Sequence, residues 1–319
     1  MEGFGEPMVQ FFTDNPGFAE QFLLQPPHWE SVSLKTLDDD LRPLAADLFH
    51  RSTLCQAESP HPSFWQYLFL IEHARDSQFD VFVEHARSKS GLPHGTCSVA
   101  GSGEHFHGYK NRPWVSVPGN IHLSAYVSPQ QQVDHFGVGF TILSAVSLLQ
   151  TLDALPGLKQ RAMVRWVNDI LLGSAKVGGV LACTQSCGPV VAGAVLGIGL
   201  NVRASPPVTP TPFVPEVAAV SDFLPENDPA ELAWTFEQLL HHLEQNYHTL
   251  VAGHYPPLLE VYRQRSMVIG REVTVFTDAP QDSPQELAHG TVSAIGEGLE
   301  LMLGEGNMSV TKGRVVIDQ

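Results

Sequence analysis

Between residues 165 and 202 the chain sets Arg165, Asn168, Asp169 and Lys176 among apolar runs of strand length: RWVNDILL, KVGGVL and AGAVLGIGLNV. Polar groups in such runs are costly to bury unless they meet a ligand or one another. Asp169 and Lys176 flank the segment LLGS (171–174), which reads as a hairpin, so both side chains come to one end of a sheet. A lysine placed there can neutralise a carboxylate and a phosphate together, which is the electrostatic requirement of forming an acyl-adenylate. Gly178 and Gly179 leave the next strand bare, so a ligand can reach its N–H and C=O groups. From spacing alone, an Asn-Asp turn, a surface lysine and a glycine bulge account for the same residues equally well.

The elements that must position these groups follow from periodicity. Trp65 to Glu72 is a strand-length run, and Ser77 with Asp80 opens a helix carrying Phe79, Phe82, Val83 and Ala86. Cys97 to Trp114, rich in Gly, Ser, His and Lys, is expected to be a substrate-facing loop before a strand over 119–127. Phe136 to Leu155 has one apolar helical face and stops at Pro156 and Gly157. Strands over 163–166, 177–183 and 190–202 complete a central sheet. The proline-rich stretch 203–227 is expected to cross the surface as a flexible or partner-facing segment. Asp228 to Glu231 carries the capping signals of a helix that continues to Gly253. Short strand-like runs from Arg271 to Ile317, with glycine turns between them, suggest a small barrel.

Composition narrows the classes. A net charge of −16 with only 18 Lys and Arg among 319 residues argues against a nucleic-acid surface. Cys55, Cys97, Cys183 and Cys187 are too irregularly spaced for a disulfide framework, and the start of the chain lacks the blocks of a secretory signal, so a cytoplasmic setting is expected. Gly, Ser, Lys or Asp interrupts every apolar run short of the roughly 18 residues that span a bilayer, so no membrane partner is expected. Glu104, His105 and His107 read as a solvated loop and Cys183 with Cys187 as free thiols rather than metal ligands. Gly197 and Gly199 lack the strand-turn-helix context of a dinucleotide fingerprint.

The blocks Arg165-Trp-Val-Asn-Asp-Ile170, Lys176-Val-Gly-Gly-Val-Leu181 and Gly197-Ile-Gly-Leu-Asn-Val202, in that order, resemble the core of the biotin protein ligases within the biotin/lipoate protein ligase family. Trp114, the segment Pro118-Gly119-Asn120 and Val261-Tyr262-Arg263 add to the likeness. The resemblance implies an α+β fold: a mixed central sheet of the class II aminoacyl-tRNA synthetase type with flanking helices, then a small SH3-like β-barrel. The expected divisions are a variable extension over 1–64, a catalytic domain over 65–265 and the C-terminal domain over 266–319. It implies ATP-dependent activation of biotin to biotinyl-AMP and transfer to a lysine of a carboxylase acceptor domain. By position, Lys176, Asp169 and Arg165 would carry catalysis. Ser77, Gln78, Gly101, Gly178 and Gly179 would hold biotin, and Lys110, Arg112, Trp114, Asn168 and Asn201 would hold ATP. Magnesium would come with ATP, near Asp169, without a dedicated protein site.

The chain also departs from the family pattern. The usual Gly-Arg-Gly-Arg loop is longer here, and Tyr109 or Glu104 stands where a phosphate-side arginine is expected, leaving Lys110 or Arg112 to supply the charge. Arg165 replaces a lysine, and Asp76-Ser77-Gln78 replaces Ser-Thr-Asn. Two alternatives follow: a lipoate or octanoate ligase, and a degenerate member that binds a ligand or partner without adenylation. No helix-turn-helix precedes the catalytic region, so a repressor role is not expected.

Overall fold

The computed structural model describes residues 8–88, 91–225, 232–278, 284–304 and 308–318. In chain order the first part runs β1 (Met8–Thr13), α1 (Pro16–Ala19), β2 (Glu30–Ser33), α2 (Arg42–Phe49), β3 (Thr53–Pro62), β4 (Tyr67–Ala74), α3 (Gln78–Arg87), β5 (Thr96–Gly103) and β6 (Ile121–Val127). A two-residue β7 (Gln131–Gln132), α4 (Phe136–Ala154), β8 (Ala162–Arg165), β9 (Asp169–Leu172), β10 (Ala175–Cys187), β11 (Val190–Leu200), α5 (Leu232–Val251) and α6 (Tyr255–Gln264) follow. The chain then enters β12 (Glu272–Phe276), β13 (Glu286–Ile295), β14 (Leu301–Leu303), β15 (Met308–Val310) and β16 (Arg314–Ile317). The capping signals at Asp228 to Glu231 lie outside the described residues.

The larger sheet has the order β2-β3-β1-β4-β5-β6-β11-β10-β9-β8, with β7 paired to the start of β11. Only β1/β4 and β4/β5 are parallel, so the sheet is mixed. Period-two alternation sends Leu68 and Leu70 to one face and Phe69 and Ile71 to the other. The first face packs on α4, α5 and α6, and the second on α2 and α3.

α4 is buried almost all round rather than along one face, because it is sandwiched between the sheet and α5 with α6. Its buried Ser144, Ser147 and Thr151 donate to the carbonyls of Phe140, Leu143 and Ser147 one turn back, which removes the cost of burying hydroxyls. By length and composition α4 could cross a bilayer, but 67% of that window is buried inside the fold, as befits a core helix.

The structure also departs from the sequence expectations elsewhere. The stretch from Cys97 is not loop throughout: its first half is β5, whose small residues fit a central position between β4 and β6, and only residues 104–120 loop out. The expected extension over 1–64 lies in the sheet, since β1 pairs with β4 across the expected boundary. The proline-rich stretch is a strap packed along the sheet end, its backbone bonded to both sides of Lys176 through Glu216 and Ala218. Its start is fixed by buried Asn120, whose Oδ1 accepts from the N–H groups of Val202, Arg203 and Ala204.

The C-terminal strands form an antiparallel sheet of order β15-β14-β13-β12-β16, consistent with an SH3-like domain whose barrel is not closed. It shares the main hydrophobic core through Val273, Val292 and Leu301, and polar bonds tie it to α6 and to the turn after β8. Trp166 Nε1 donates to Leu299 O at 2.6 Å and Arg263 Nε to Ile295 O at 2.7 Å.

Candidate active site

Strand register builds the floor of a cavity of about 330 Å³ on the α3 side of the sheet. Gly179 faces Gly199 across β10 and β11, Gly197 faces Ser124 on β6, and Ser124 faces Ser98 on β5. This strip of small residues lets aromatic rings lie on the backbone. A Cβ on Gly199 would come within 2.4 Å of the Trp114 ring, and one on Gly197 within 2.8 Å of Phe79. α3 enters with Ser77 as N-cap, its hydroxyl accepting from Asp80 N, and Gln78 then donates to Ser98 Oγ. Phe79, Leu181 and Ile198 make that end of the cavity apolar.

At the other end sits a charged cluster. The β9–β10 hairpin brings Lys176 Nζ to 2.5 Å from Asp169 Oδ1, and Arg165 at the end of β8 reaches Asp169 Oδ2 at 2.8 Å. Burial alone would raise the Asp169 pKa, but Lys176 and Arg165 overcome it and hold the carboxyl at about 2. Asn168 donates to Val180 O at 2.7 Å, tying the turn into β9 to β10. Lys176 Nζ also lies 5.4 Å from the centre of the Trp114 ring.

Trp114 is held from beneath by His122, whose Nδ1 accepts from the indole N–H at 3.2 Å. Burial pushes the His122 pKa down to about 4, against the raising effect of its bond to Val117 O, so the ring is neutral at physiological pH. The loop bearing Trp114 is tied to α3 by His107 and Asp80 at 2.7 Å. Lys110 at its tip, in the left-handed region with φ 56, pairs with Asp278 of the C-terminal domain at 3.0 Å.

Most of the residues singled out in the sequence meet. Ser77, Gln78, Arg112, Trp114, Asn168, Asp169, Lys176 and Gly179 line the cavity, and Arg165 lines a small polar cleft opening beside Asp169. Others do not meet it. Gly178 points through the sheet at Leu148 of α4, because adjacent residues of a strand face opposite ways. Gly101 faces Phe18 for the same reason. Asn201 is buried and donates to Ala218 O, holding the strap, and Lys110 is turned to Asp278. Sequence reasoning missed His122, Arg314 and the strap wall of Val208, Thr209, Thr211 and Val214. Only the strap's length hinted at a role. Nothing in local spacing brings Arg314, a C-terminal residue, to this cavity.

A mixed sheet with flanking helices and an appended antiparallel sheet is a fold shared with solved biotin protein ligases. Residues 84–201 match the model of the Biotin/lipoate A/B protein ligase family. The chain is 24% identical over 194 residues to the bifunctional ligase/repressor BirA of Bacillus subtilis, covering 60% of this chain and 58% of the relative, so the chain spans under two thirds of that protein's length. It is 30% identical over 99 residues to the biotin--[acetyl-CoA-carboxylase] ligase of Paracoccus denitrificans, covering 31% of this chain and 41% of the relative. The fold is similar to that of the biotin protein ligase of Aquifex aeolicus, solved with biotin and ATP, at 14% identity and a TM-score of 0.59, over 79% of this chain and 98% of that one.

Proposed function

We propose that this protein activates biotin with ATP as biotinyl-AMP and passes the acyl group to a lysine of an acceptor protein, the acceptor domain of a carboxylase. The observation that carries this reading is Lys176, held by Asp169 at the charged end of a glycine-floored cavity whose other end is apolar. The acid's ring system and chain lie between Phe79 and Ile198, with Ser77 and Gln78 at its polar head. Trp114 walls the adenine side.

In the first step a carboxylate oxygen attacks the α-phosphorus of ATP and pyrophosphate leaves. Both reactants are anions, and the Lys176 ammonium lowers their repulsion and the charge built up as they meet. Asp169, ionised down to about pH 2, holds that ammonium in place. In the second step the acceptor amine attacks the acyl carbon, losing a proton, and AMP leaves. Here the enzyme's contribution is orientation. Magnesium travels with the nucleotide phosphates. Both Asp169 oxygens are already engaged by cations, which does not fit a protein-held ion there. Four free cysteines, one of them fully buried, suit a reducing compartment.

The test is intact-mass analysis of a biotin acceptor domain incubated with the protein, ATP, magnesium and biotin, lipoate or octanoate in turn. The expected result is one ATP-dependent addition, with biotin alone, on the acceptor lysine. Addition of lipoate instead would assign a different acid to the cavity.

A further inference from the structure

The charged end of the cavity holds more cations than its carboxylates neutralise. Arg165 and Lys176 share Asp169, and Lys110 takes Asp278. Arg112 and Arg314 make no ion pair among the described residues, yet both line the main cavity and the polar cleft beside Asp169. Arg112 spends its Nε–H on Tyr109 O, and no acid neutralises it among the described residues. The Arg314 guanidinium lies 3.7 Å from the centre of the Phe213 ring on the strap, and its buried Nε has no hydrogen-bond partner. Burial first, and then the like charges of Arg112 and Arg165, push its pKa down from the ordinary arginine value, against the opposing pull of Asp278 and Asp169. Like charges gathered in a partly desolvated cleft are unfavourable until an anion joins them.

We propose that Arg314, carried by the C-terminal sheet and levelled by Phe213, binds the polyphosphate of the nucleotide together with Arg112. The inference rests on the proposed ATP-dependent reaction and adds a residue to it from a second domain. It also resolves the departure in the Gly103–Trp114 loop. Tyr109 stands where a phosphate-side arginine was expected and Lys110 is drawn away to Asp278, so the charge comes from Arg314 instead. A planar guanidinium stacked on a ring is preorganised to offer paired N–H donors to phosphate oxygens. The Lys110–Asp278 pair then holds loop and sheet together so that Arg112 and Arg314 face one anion.

The experiment is calorimetric titration of the full chain and of Arg314→Ala and Arg314→Lys, using non-hydrolysable ATP, AMP, inorganic tripolyphosphate and biotin as separate probes. Arg314→Ala is expected to weaken ATP and tripolyphosphate at least tenfold while AMP and biotin stay within twofold. The lysine variant should recover part of the loss. ATP affinity unchanged in Arg314→Ala, or ATP and AMP weakened alike, overturns the proposal, the second result marking a merely structural arginine. If the wild type activates no acid but binds tripolyphosphate through Arg314, the ligase reading falls and the anion site stands. If it binds neither ATP nor tripolyphosphate, both fall.

Discussion

The wall of the cavity carried by β9, β10 and β11 and the wall carried by the Gly103–Trp114 loop and the C-terminal sheet both present cations to the same space, but position them by different means. On the first wall, strand register does the positioning: the hairpin at 171–174 sets Lys176 beside Asp169, and alternation decides that Gly179 faces the cavity while Gly178 faces α4. On the second wall, long-range contacts do it: Lys110 with Asp278, Arg314 with Phe213, and Trp114 with His122. A wall set by register tolerates few substitutions, since a changed residue either fills the floor or strips the central charge. A wall set by pairwise contacts can exchange one cation for another without disturbing a strand.

The comparison breaks first at Lys176. Lys176→Ala should lower the rate of adenylate formation by at least about 10²-fold, the usual scale for losing one aimed charge stabiliser, with the fold retained because Arg165 still neutralises Asp169. Single-turnover pyrophosphate release measures it. Next come the two faces of the glycine floor. Gly199→Ala meets Trp114 at 2.4 Å and should weaken the nucleotide at least tenfold with little change in melting temperature. Gly178→Ala meets Gly199 O at 2.8 Å and Leu148, so it should cost about 1–3 kcal/mol of stability while leaving ligand affinities near normal. Equal effects of the two substitutions would mean that register does not define the site.

The second wall should give graded losses. Arg112→Ala is expected to weaken ATP several-fold, whereas Lys110→Ala should act mainly on stability, by about 1 kcal/mol in a double-mutant cycle with Asp278→Asn. A larger ATP loss in Lys110→Ala than in Arg112→Ala would reverse the assignment. The smallest effect on activity near neutrality concerns His122. Its pKa in the fold, about 4, lies below the ordinary 6.5, so its contribution to stability is complete above pH 6.5 and is lost as pH falls from 6.5 toward 4. Urea unfolding at pH 7.5 and 4.5 should show that loss, on the order of 3 kcal/mol at most, and His122→Gln should flatten it.

What was legible in the sequence divides along the same line. Strand-length apolar runs and the 171–174 hairpin could be read because register is a local, periodic property, whereas Asn168, Asp169 and Lys176 fitted a plain turn equally well until the family resemblance singled them out. Ser77 could be read as a cap because capping too is local. Gly101 and Gly178 were placed near the ligand by motif, and only the realised alternation shows which way each points. The pairing of β1 with β4, the folding of the proline-rich strap along Lys176 and the approach of Arg314 all depend on contacts between distant residues that no local pattern encodes.

Acid activation depends above all on Lys176. The measurement that tests it is pyrophosphate release from ATP and magnesium with biotin, lipoate or octanoate, in the wild type and in Lys176→Ala. Release with biotin alone, abolished in the variant, is the result predicted here. Release with none of the acids by a folded wild type, or release that survives Lys176→Ala undiminished, would contradict it.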